Sequence, residues 1–328
     1  MTKRLAEVAK KAGVSEATVS RVLNGRNGVS EATRASVLTA LDVLGYERPT
    51  KLRGERGRLV GLVLPELQNP IFPALAEVVT ASLAQRGFTP LLAARTIGGV
   101  PERDYIEMLL DHQVSGVVFA GGSYALADAE HGHYRALTDR RMPVVMVNAG
   151  VSDLGFPHIS TDDAVAVEQA YGHLRSLGHE RIGMVMGPED HVPSRRKLAA
   201  LEGKQFLVER TSFSMESARL AAAKLIDRGV TGMICASDVL ALGSIRAARR
   251  LGLDVPGDVS VVGFDDSALM TCTDPPLTTV RQPIELMGQS AVDLLVNQIE
   301  GSGVEPDELL FEPELVVRGS TGPARKRD

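Results

Sequence analysis

Cysteine is scarce in this sequence of 328 residues, and long apolar runs are missing from it. The two cysteines, Cys235 and Cys272, have neither zinc-site spacing nor the number that a disulfide framework needs, which agrees with a reducing compartment. No run of about 18 apolar residues occurs, so a membrane-spanning helix is not expected. Lys3 and Arg4 are followed by no apolar segment, so we predict no signal peptide and a cytoplasmic protein.

The short motifs of common cofactor and catalytic sites are also missing. The first predicted strand is followed by PELQNP (residues 65–70) and not by a Gly-x-Gly-x-x-Gly turn, which argues against a dinucleotide site. The sequence contains no P-loop, no Gly-x-Ser-x-Gly nucleophile elbow and no His/Cys/Asp cluster with metal spacing. We therefore expect no enzyme activity, no cofactor and no metal.

The charge of the chain is divided unevenly along its length. Residues 1–58 contain 12 Lys/Arg against 6 Asp/Glu, a net charge of +6, and because the whole chain has −5, residues 59–328 carry −11. A basic head on an acidic body is typical of a protein that binds a polyanion through its head. The alternative from charge alone is a solvated charge run.

The head, residues 1–46, shows helical patterning in three short segments. Apolar residues recur at helical spacing in residues 5–12, 14–24 and 30–44. Gly13 permits a tight turn after the first segment, and Ser15 and Ser30 stand where they can cap the second and third helices. Two helices joined so briefly form a helix-turn-helix, for which the alternative is a purely structural three-helix module.

The second of these helices has the two faces that DNA reading needs. Its inner face is apolar, whereas its outer face offers short polar groups and one cation. In a major groove its N-terminal half would bring Glu16, Ala17 and Arg21 to base edges, where an Arg can donate two hydrogen bonds to guanine. Short polar side chains hold a protein in register on phosphates, and we predict that role for Ser15, Thr18, Ser20, Asn24 and Ser30.

The remainder of the chain reads as a linker, an α/β body and a tail. Residues 47–58 are polar with glycine and proline, which predicts a linker. In residues 59–318, strand-length apolar runs alternate with amphipathic helices, the pattern of a parallel α/β sheet, which binds ligands at the carboxyl ends of its strands. Polar residues stand at these ends, namely Asn148, residues 188–191, Ser237, Asp238, Asp265 and Asp266. Residues 319–328 are predicted to be a disordered tail.

Several segments resemble the LacI/GalR family of transcriptional repressors. In the head they are LAEVAKKAGVSEATVSRVLN (5–24), VSEATR (29–34) and LGY (44–46). In the body they are VGLVLPELQNPIF (60–72), SLGHERIG (176–183), ASDVLALG (236–243), VPGDVSVVGFDD (255–266) and PLTTVRQ (276–282). The resemblance implies an all-α helix-turn-helix head and a two-lobed α/β effector domain like periplasmic binding proteins. In that fold, parallel sheets are joined by three crossovers, expected here near residues 159–161, 279–282 and 312–315.

The resemblance also implies roles for individual residues. Leu52 would wedge into the minor groove from a hinge helix, or would pack on the body because this linker is about one turn short. Arg195 and Asp265 would bind the effector, with Phe72 under a sugar ring and Ser237 nearby. The alternatives are a surface ion pair for Arg195, a turn cap for Asp265 and a core position for Phe72, and Asp238 is expected to cap the helix that follows it.

The function implied is repression of a carbohydrate-utilisation operon. A homodimer or higher assembly would bind near-palindromic operator DNA, and a small sugar between the lobes would release it. GYERPT (45–50) and HVPSRRK (191–197) are most similar to maltose-operon repressors, so maltose or a maltodextrin is the expected sugar. Two alternatives stay open: the same DNA role with a corepressor ligand, and a solute-binding protein for uptake, against which the basic head and the missing signal peptide argue.

Overall fold

The computed structural model describes residues 2–23, 28–44, 58–95, 98–150, 154–303, 305 and 307–325. The chain divides into two compact units: residues 1–58, which comprise the head and the linker, and residues 59–328, the body. Asn24, Leu52 and the linker residues 45–57 lie outside the described residues, so their predicted DNA contacts and the hinge helix stay predictions.

The head is a bundle of three helices, α1 (Thr2–Ala12), α2 (Glu16–Leu23) and α3 (Glu31–Val43). Gly13 has a φ of 68°, the left-handed conformation that glycine adopts freely and that ends α1 in a tight turn. The hydroxyls of Ser15 and Ser30 each accept a hydrogen bond of 3.2 Å from a backbone N–H three residues later, as the predicted caps require. Its apolar core is formed by Val8, Ala9, Val19, Val22, Val37, Ala40 and Leu41.

Strands and helices alternate through the body. In chain order they are β1 (Arg58–Leu64), α4 (Ile71–Gln85), β2 (Phe88–Ala94), α5 (Glu102–Asp111), β3 (Gly116–Phe119), α6 (Arg135–Asp139), β4 (Val144–Val147), β5 (His158–Thr161), α7 (Asp163–Ser176), β6 (Ile182–Met186), α8 (Val192–Ala200), β7 (Leu207–Arg210), α9 (Met215–Asp227), β8 (Gly232–Cys235), α10 (Asp238–Arg250), β9 (Ser260–Asp265), β10 (Thr278–Arg281), α11 (Ile284–Ile299), β11 (Glu308–Phe311) and β12 (Glu314–Val316).

These strands form two six-stranded sheets, one in each lobe. Lobe 1 has the order β11-β5-β4-β3-β1-β2, and lobe 2 has the order β12-β10-β9-β8-β6-β7. The predicted parallel pairing is present, for example between β1 and β3 and between β8 and β9. The edge strand β12 differs, because it runs antiparallel to β10.

Three crossovers join the lobes, at or beside the predicted positions. The chain leaves lobe 1 after β5, returns after β10, and leaves again between β11 and β12. At the first crossover the Asp162 carboxylate caps α7 by accepting hydrogen bonds of 3.0 Å from the N–H groups of Ala164 and Val165. Two crossovers thus coincide with β5 and β10, which the sequence did not predict as strands.

Apolar side chains fill both faces of each sheet. In β1 the consecutive residues Leu62, Val63 and Leu64 are all fully buried, which only a strand covered on both faces permits. Within the described ranges, no helix combines the length and the apolar character needed to cross a membrane.

Residues 319–325 correct the prediction of a disordered tail. Ser320 is fully buried, and its hydroxyl donates to the Val261 carbonyl at 2.6 Å and accepts from the Thr278 N–H at 2.8 Å. Further along, the Gly322 N–H donates to the Ser260 hydroxyl at 3.0 Å. Small polar residues that would suit a free tail instead pair with β9 and β10, a long-range contact that local composition does not reveal.

Replacing Ser320 by Ala tests this packing. The Thr278 N–H would lose its partner inside the protein, and an unsatisfied buried donor costs about 1–3 kcal/mol. We expect the free energy of unfolding, measured by urea denaturation, to fall by that amount. The matched variant Ser302→Ala, at an exposed serine, should change it by less than about 0.5 kcal/mol. Equal stability of the two variants would contradict the packing of residues 319–325.

Candidate functional site

Helix α2 presents the predicted base-reading residues to solvent. Glu16, Ala17 and Arg21 are exposed, whereas Val19 and Val22 are fully buried in the core of the head. The helix therefore has the two faces that its sequence predicts, and its N-terminal end is open to a ligand.

Three of the predicted phosphate-contacting residues, Ser15, Thr18 and Ser30, lie at the N-terminal ends of α2 and α3. Ser15 and Ser30 use their hydroxyls as helix caps, and Ser15 also lies 2.9 Å from the Thr18 hydroxyl. Ser20 is half-buried on α2. Caps hold the first turns of both helices, whose backbone N–H groups are suited to anions.

A cavity of about 320 Å³ lies between the two lobes of the body. It opens at the carboxyl ends of strands, as expected for parallel sheets. Phe72, Ser237 and Asp265, three of the predicted effector-binding residues, line it. Its other lining residues are Pro65, Glu66, Asn69, Ile71, Arg95, Ala120, Gly121, Gly122, Ala125, Leu126, Val147, Asn148, Asp163, Pro188, His191, Pro193, Ser194, Lys197, Ser212, Phe213, Ala236, Phe264 and Gln282.

Asp265 is the last residue of β9 and lies at the floor of this cleft. Its carboxylate accepts hydrogen bonds from the Asn69 amide of lobe 1 at 3.1 Å and from the Gln282 amide of the second crossover at 2.7 Å. It caps no turn in this arrangement. The backbone of Asp265 has a φ of 125°, which is unusual for a residue other than glycine and occurs often at ligand sites.

A second carboxyl, that of Asp238, is buried beside Asp265. It accepts from the Ser267 N–H at 2.8 Å and the Thr279 hydroxyl at 2.6 Å, so it does not cap α10 as predicted. Ser237 is the cap, with its hydroxyl accepting from the Leu240 N–H at 3.2 Å. Burial raises the pKa of both carboxyls, because neither can be solvated by water when charged.

The buried cation of the cleft is Lys197, which corrects the prediction for Arg195. Arg195 is exposed on α8 and does not line the cavity, whereas Lys197 is 4 % exposed and lies 3.9 Å from the centre of the Phe264 ring. Two residues along a helix correspond to about 200°, so these side chains leave α8 on opposite sides. Lys197 forms an ion pair with Asp163. Burial raises the pKa of the Asp163 carboxyl, although the charge of Lys197 acts in the opposite direction.

His191 closes one side of the cleft as a neutral ring. It caps α8 by accepting from the Ser194 N–H, and its ring packs edge-on against Phe213 with 4.8 Å between ring centres. Burial, with repulsion from Lys197 and Arg210, lowers its pKa to about 3. The ring therefore stays uncharged at neutral pH and supplies an apolar surface with one polar edge.

The lobes also touch each other away from the cleft floor. The Ala127 N–H of lobe 1 donates to the Asp190 carbonyl of lobe 2 at 2.8 Å, next to a bridge between Leu126 and His191. Elsewhere the guanidinium of Arg196 on α8 binds both carboxylate oxygens of Glu308 on β11, at 2.6 Å and 3.1 Å. The cleft is therefore bounded by direct contacts between the lobes as well as by the crossovers.

Sequence reasoning missed Lys197, Asp163 and Asn69 as parts of the cleft. The signal for Lys197 was present, because Ser194, Lys197 and Leu201 recur at the spacing of one helix face and all three are buried. For Asn69 the sequence holds no comparable signal, since its partner Asp265 is 196 residues away. In the described part of the chain, no group of three or more His, Cys, Asp or Glu side chains could hold a metal ion.

Models of known families match a part of each unit of the chain. Residues 4–49 match the family of bacterial regulatory proteins of lacI type, and residues 171–321 match a periplasmic binding protein-like domain. The HTH-type transcriptional regulator MalR of Streptomyces coelicolor is 51 % identical, over 99 % of this chain and 98 % of its own length.

Solved structures of similar proteins share the fold. A complex of the transcriptional regulator CelR with cellobiose is 33 % identical, covers 96 % of this chain and 99 % of its own, and has a TM-score of 0.71. The lac repressor dimer bound to operator and the anti-inducer ONPF is 29 % identical, covers 96 % of this chain and 98 % of its own, and also has a TM-score of 0.71. All three relatives are named as transcriptional regulators or repressors and none as an enzyme.

Replacing Lys197 by Met separates the role of Lys197 from that of Arg195 on α8. The Asp163 carboxyl would lose its buried partner, at a cost of about 3 kcal/mol, the lower end for a buried pair because Asp163 can take up a proton. We expect that decrease in unfolding free energy from urea denaturation. Arg195→Ala, at an exposed position of the same helix, should change it by less than about 0.5 kcal/mol. The reverse order of the two effects would contradict the assignment of Lys197 as the inward-facing cation.

Proposed function

This chain belongs to the LacI family of bacterial regulatory proteins and is a DNA-binding transcriptional repressor, and from that premise we propose that it represses a carbohydrate-utilisation operon. A small sugar of the maltose or maltodextrin type, bound between the lobes, releases it from the operator. The observation that carries the proposal is the buried carboxylate of Asp265 at the floor of a cleft with aromatic walls.

The chemistry of the cleft suits an uncharged polyol. Sugar hydroxyls need acceptors such as a carboxylate, together with amide groups and an apolar surface for the faces of the ring. Asp265 with Asn69 and Gln282 supplies the polar groups, and Phe72 and Phe213 supply aromatic surface.

Anionic ligands such as sugar phosphates are disfavoured by the charges of the lining. Within the described lining, the two cationic side chains already have carboxylate partners: Lys197 pairs with Asp163, and Arg95 lies 3.6 Å from Glu102. A phosphate would have to displace one of these carboxylates or stand beside it, which costs electrostatic energy.

Similarity to sugar-responsive relatives supports the choice of sugar. Segments 45–50 and 191–197 resemble maltose-operon repressors, and the second of them contains the cleft residues His191, Ser194 and Lys197. CelR, one third identical, is known in complex with cellobiose. Both arguments favour a glucoside over a purine or a pentose.

On the DNA side, Glu16, Ala17 and Arg21 of α2 read base edges, and Ser15, Thr18, Ser20, Asn24 and Ser30 contact phosphates. Exposure of the first three on one side of α2 supports this assignment. A homodimer would place two such helices on the half-sites of a near-palindromic operator in the cytoplasm. Ligand between the lobes changes the spacing of the two heads, with a coupling free energy of about 1–3 kcal/mol.

Calorimetric titration combined with a gel shift tests the ligand. We expect heat on addition of maltose or maltotriose, none with ribose or adenosine, and loss of the shift of operator DNA when the sugar is added. Binding of ribose or adenosine without binding of any glucoside would contradict the proposed sugar. A stronger shift in the presence of sugar would make the ligand a corepressor, and absence of any specific shift at moderate salt would favour a solute-binding protein.

Replacing Arg21 by Ala tests how α2 reads DNA. Loss of a two-hydrogen-bond contact to guanine should weaken operator binding by about 1–3 kcal/mol and leave binding to unrelated DNA nearly unchanged. Arg103→Ala, at an exposed arginine of the body, should change neither affinity. Equal losses on operator and unrelated DNA would mean that Arg21 contacts only phosphates.

A further inference from the structure

Two polar side chains of the cleft have no partner among the described residues, those of Glu66 and Asn148. Both line the cavity from lobe 1 and both are half-buried. The other polar side chains of the lining all hold a hydrogen bond or an ion pair within the protein, namely Asn69, Arg95, Asp163, His191, Ser194, Lys197, Ser212, Ser237, Asp265 and Gln282. A ligand can therefore bind Glu66 and Asn148 without breaking a contact within the protein.

The strand register brings these two residues to one edge of the lobe 1 sheet. Val63 pairs with Phe119, and Phe119 pairs with Met146, so Glu66 and Asn148 follow β1 and β4 at nearly the same level. Strand β3 lies between β1 and β4. Two strand spacings of about 4.8 Å separate their backbones by about 10 Å, which leaves room for one sugar ring with a hydrogen bond on each side.

Glycines follow the strand that lies between β1 and β4. After Ala120, the chain continues from β3 with Gly121 and Gly122, which line the cavity and add no side chain to it. A Cβ on Gly121 would lie 2.7 Å from Pro65, and a Cβ on Gly122 would lie 2.5 Å from the Glu102 carboxylate, so a larger residue at either position would displace a neighbouring side chain.

The backbone at Asn148 is held in an uncommon conformation. Its φ is 68°, in the left-handed region that residues other than glycine seldom occupy, and its N–H donates to the Ile159 carbonyl at 2.6 Å. Such conformations concentrate at ligand sites, because the surrounding structure must enforce them. Here the hydrogen bond to β5 holds it, and Asn148 lines the cavity.

We infer that Glu66 is a ligand-binding residue, which with Asn148 forms a hydroxyl-binding subsite for one sugar ring, separate from the site at Asp265. The inference rests on the proposed sugar ligand. Each carboxylate oxygen of Glu66 accepts a hydrogen bond from a sugar hydroxyl. The amide N–H of Asn148 donates to a sugar oxygen, and its amide oxygen accepts from a further hydroxyl. Burial raises the pKa of Glu66, so its carboxylate has already lost part of its water shell and gains from hydroxyl donors.

Calorimetric titration of Glu66→Gln with maltotriose tests the subsite. A hydrogen bond to a charged group is worth enough to change affinity by about tenfold or more, so we expect maltotriose to bind at least about tenfold more weakly. The melting temperature should stay that of the wild type, because Glu66 has no protein partner to lose. The control Glu130→Gln, at an exposed glutamate of lobe 1 outside the cavity lining, should bind maltotriose as the wild type does.

The outcomes separate this inference from the proposed function. Wild-type binding of maltotriose with unchanged affinity in Glu66→Gln would overturn the subsite and leave the proposed sugar intact. Failure of the wild type to bind maltose or maltotriose would overturn both. A lower melting temperature together with weaker binding in Glu66→Gln would assign Glu66 a structural role and overturn the subsite. Weaker binding in Asn148→Ala, with operator binding kept, would support it further.

Discussion

The carboxylate of Asp265 is buried between the two lobes, close to the crossovers. A buried anion is stable only when hydrogen-bond donors surround it. Asn69 of lobe 1 and Gln282 of the second crossover supply those donors. Gln282 in turn accepts from the Thr161 hydroxyl at 2.9 Å, at the end of β5. A ligand hydroxyl that binds Asp265 must share it with Asn69, so one carboxylate links ligand binding to the contact between the lobes.

The same need for partners organises the other charges of the body. Lys197 is stable in the cleft wall because Asp163 is buried beside it, and Arg195, which points to solvent, needs no partner. The buried carboxylate of Glu102 accepts hydrogen bonds from the Tyr134 and Ser123 hydroxyls and forms an ion pair with Arg95. Once these pairs are formed, the lining keeps few free charges, which suits a neutral ligand. The net positive charge that a polyanion needs lies in the head and not in the body.

Local patterns predicted most of the fold. Helix caps at Ser15 and Ser30, the turn at Gly13 and the longer helices all depend on residues within a few positions of one another. Buried parallel strands such as β1 appear as continuous apolar runs and were found for that reason. The strands β5, β7, β10, β11 and β12 have only three or four residues and carry polar side chains, so they were not predicted as strands. Their pairing comes from neighbours that lie far away in sequence.

By itself, then, the sequence determined the three-helix head with an exposed polar face on α2, the alternation of strands and helices, and the division of charge between head and body, and its resemblance to a known family predicted the three crossovers. Only the tertiary structure decided which cation of α8 enters the cleft, that residues 319–325 pack against β9 and β10, and that Ser237 and not Asp238 caps α10. Helix and strand patterns repeat over a few residues, whereas the partner of a buried polar group can be anywhere in the chain. Asn69 and Asp265 are 196 residues apart, and neither side chain reveals its partner until the fold brings them within 3.1 Å.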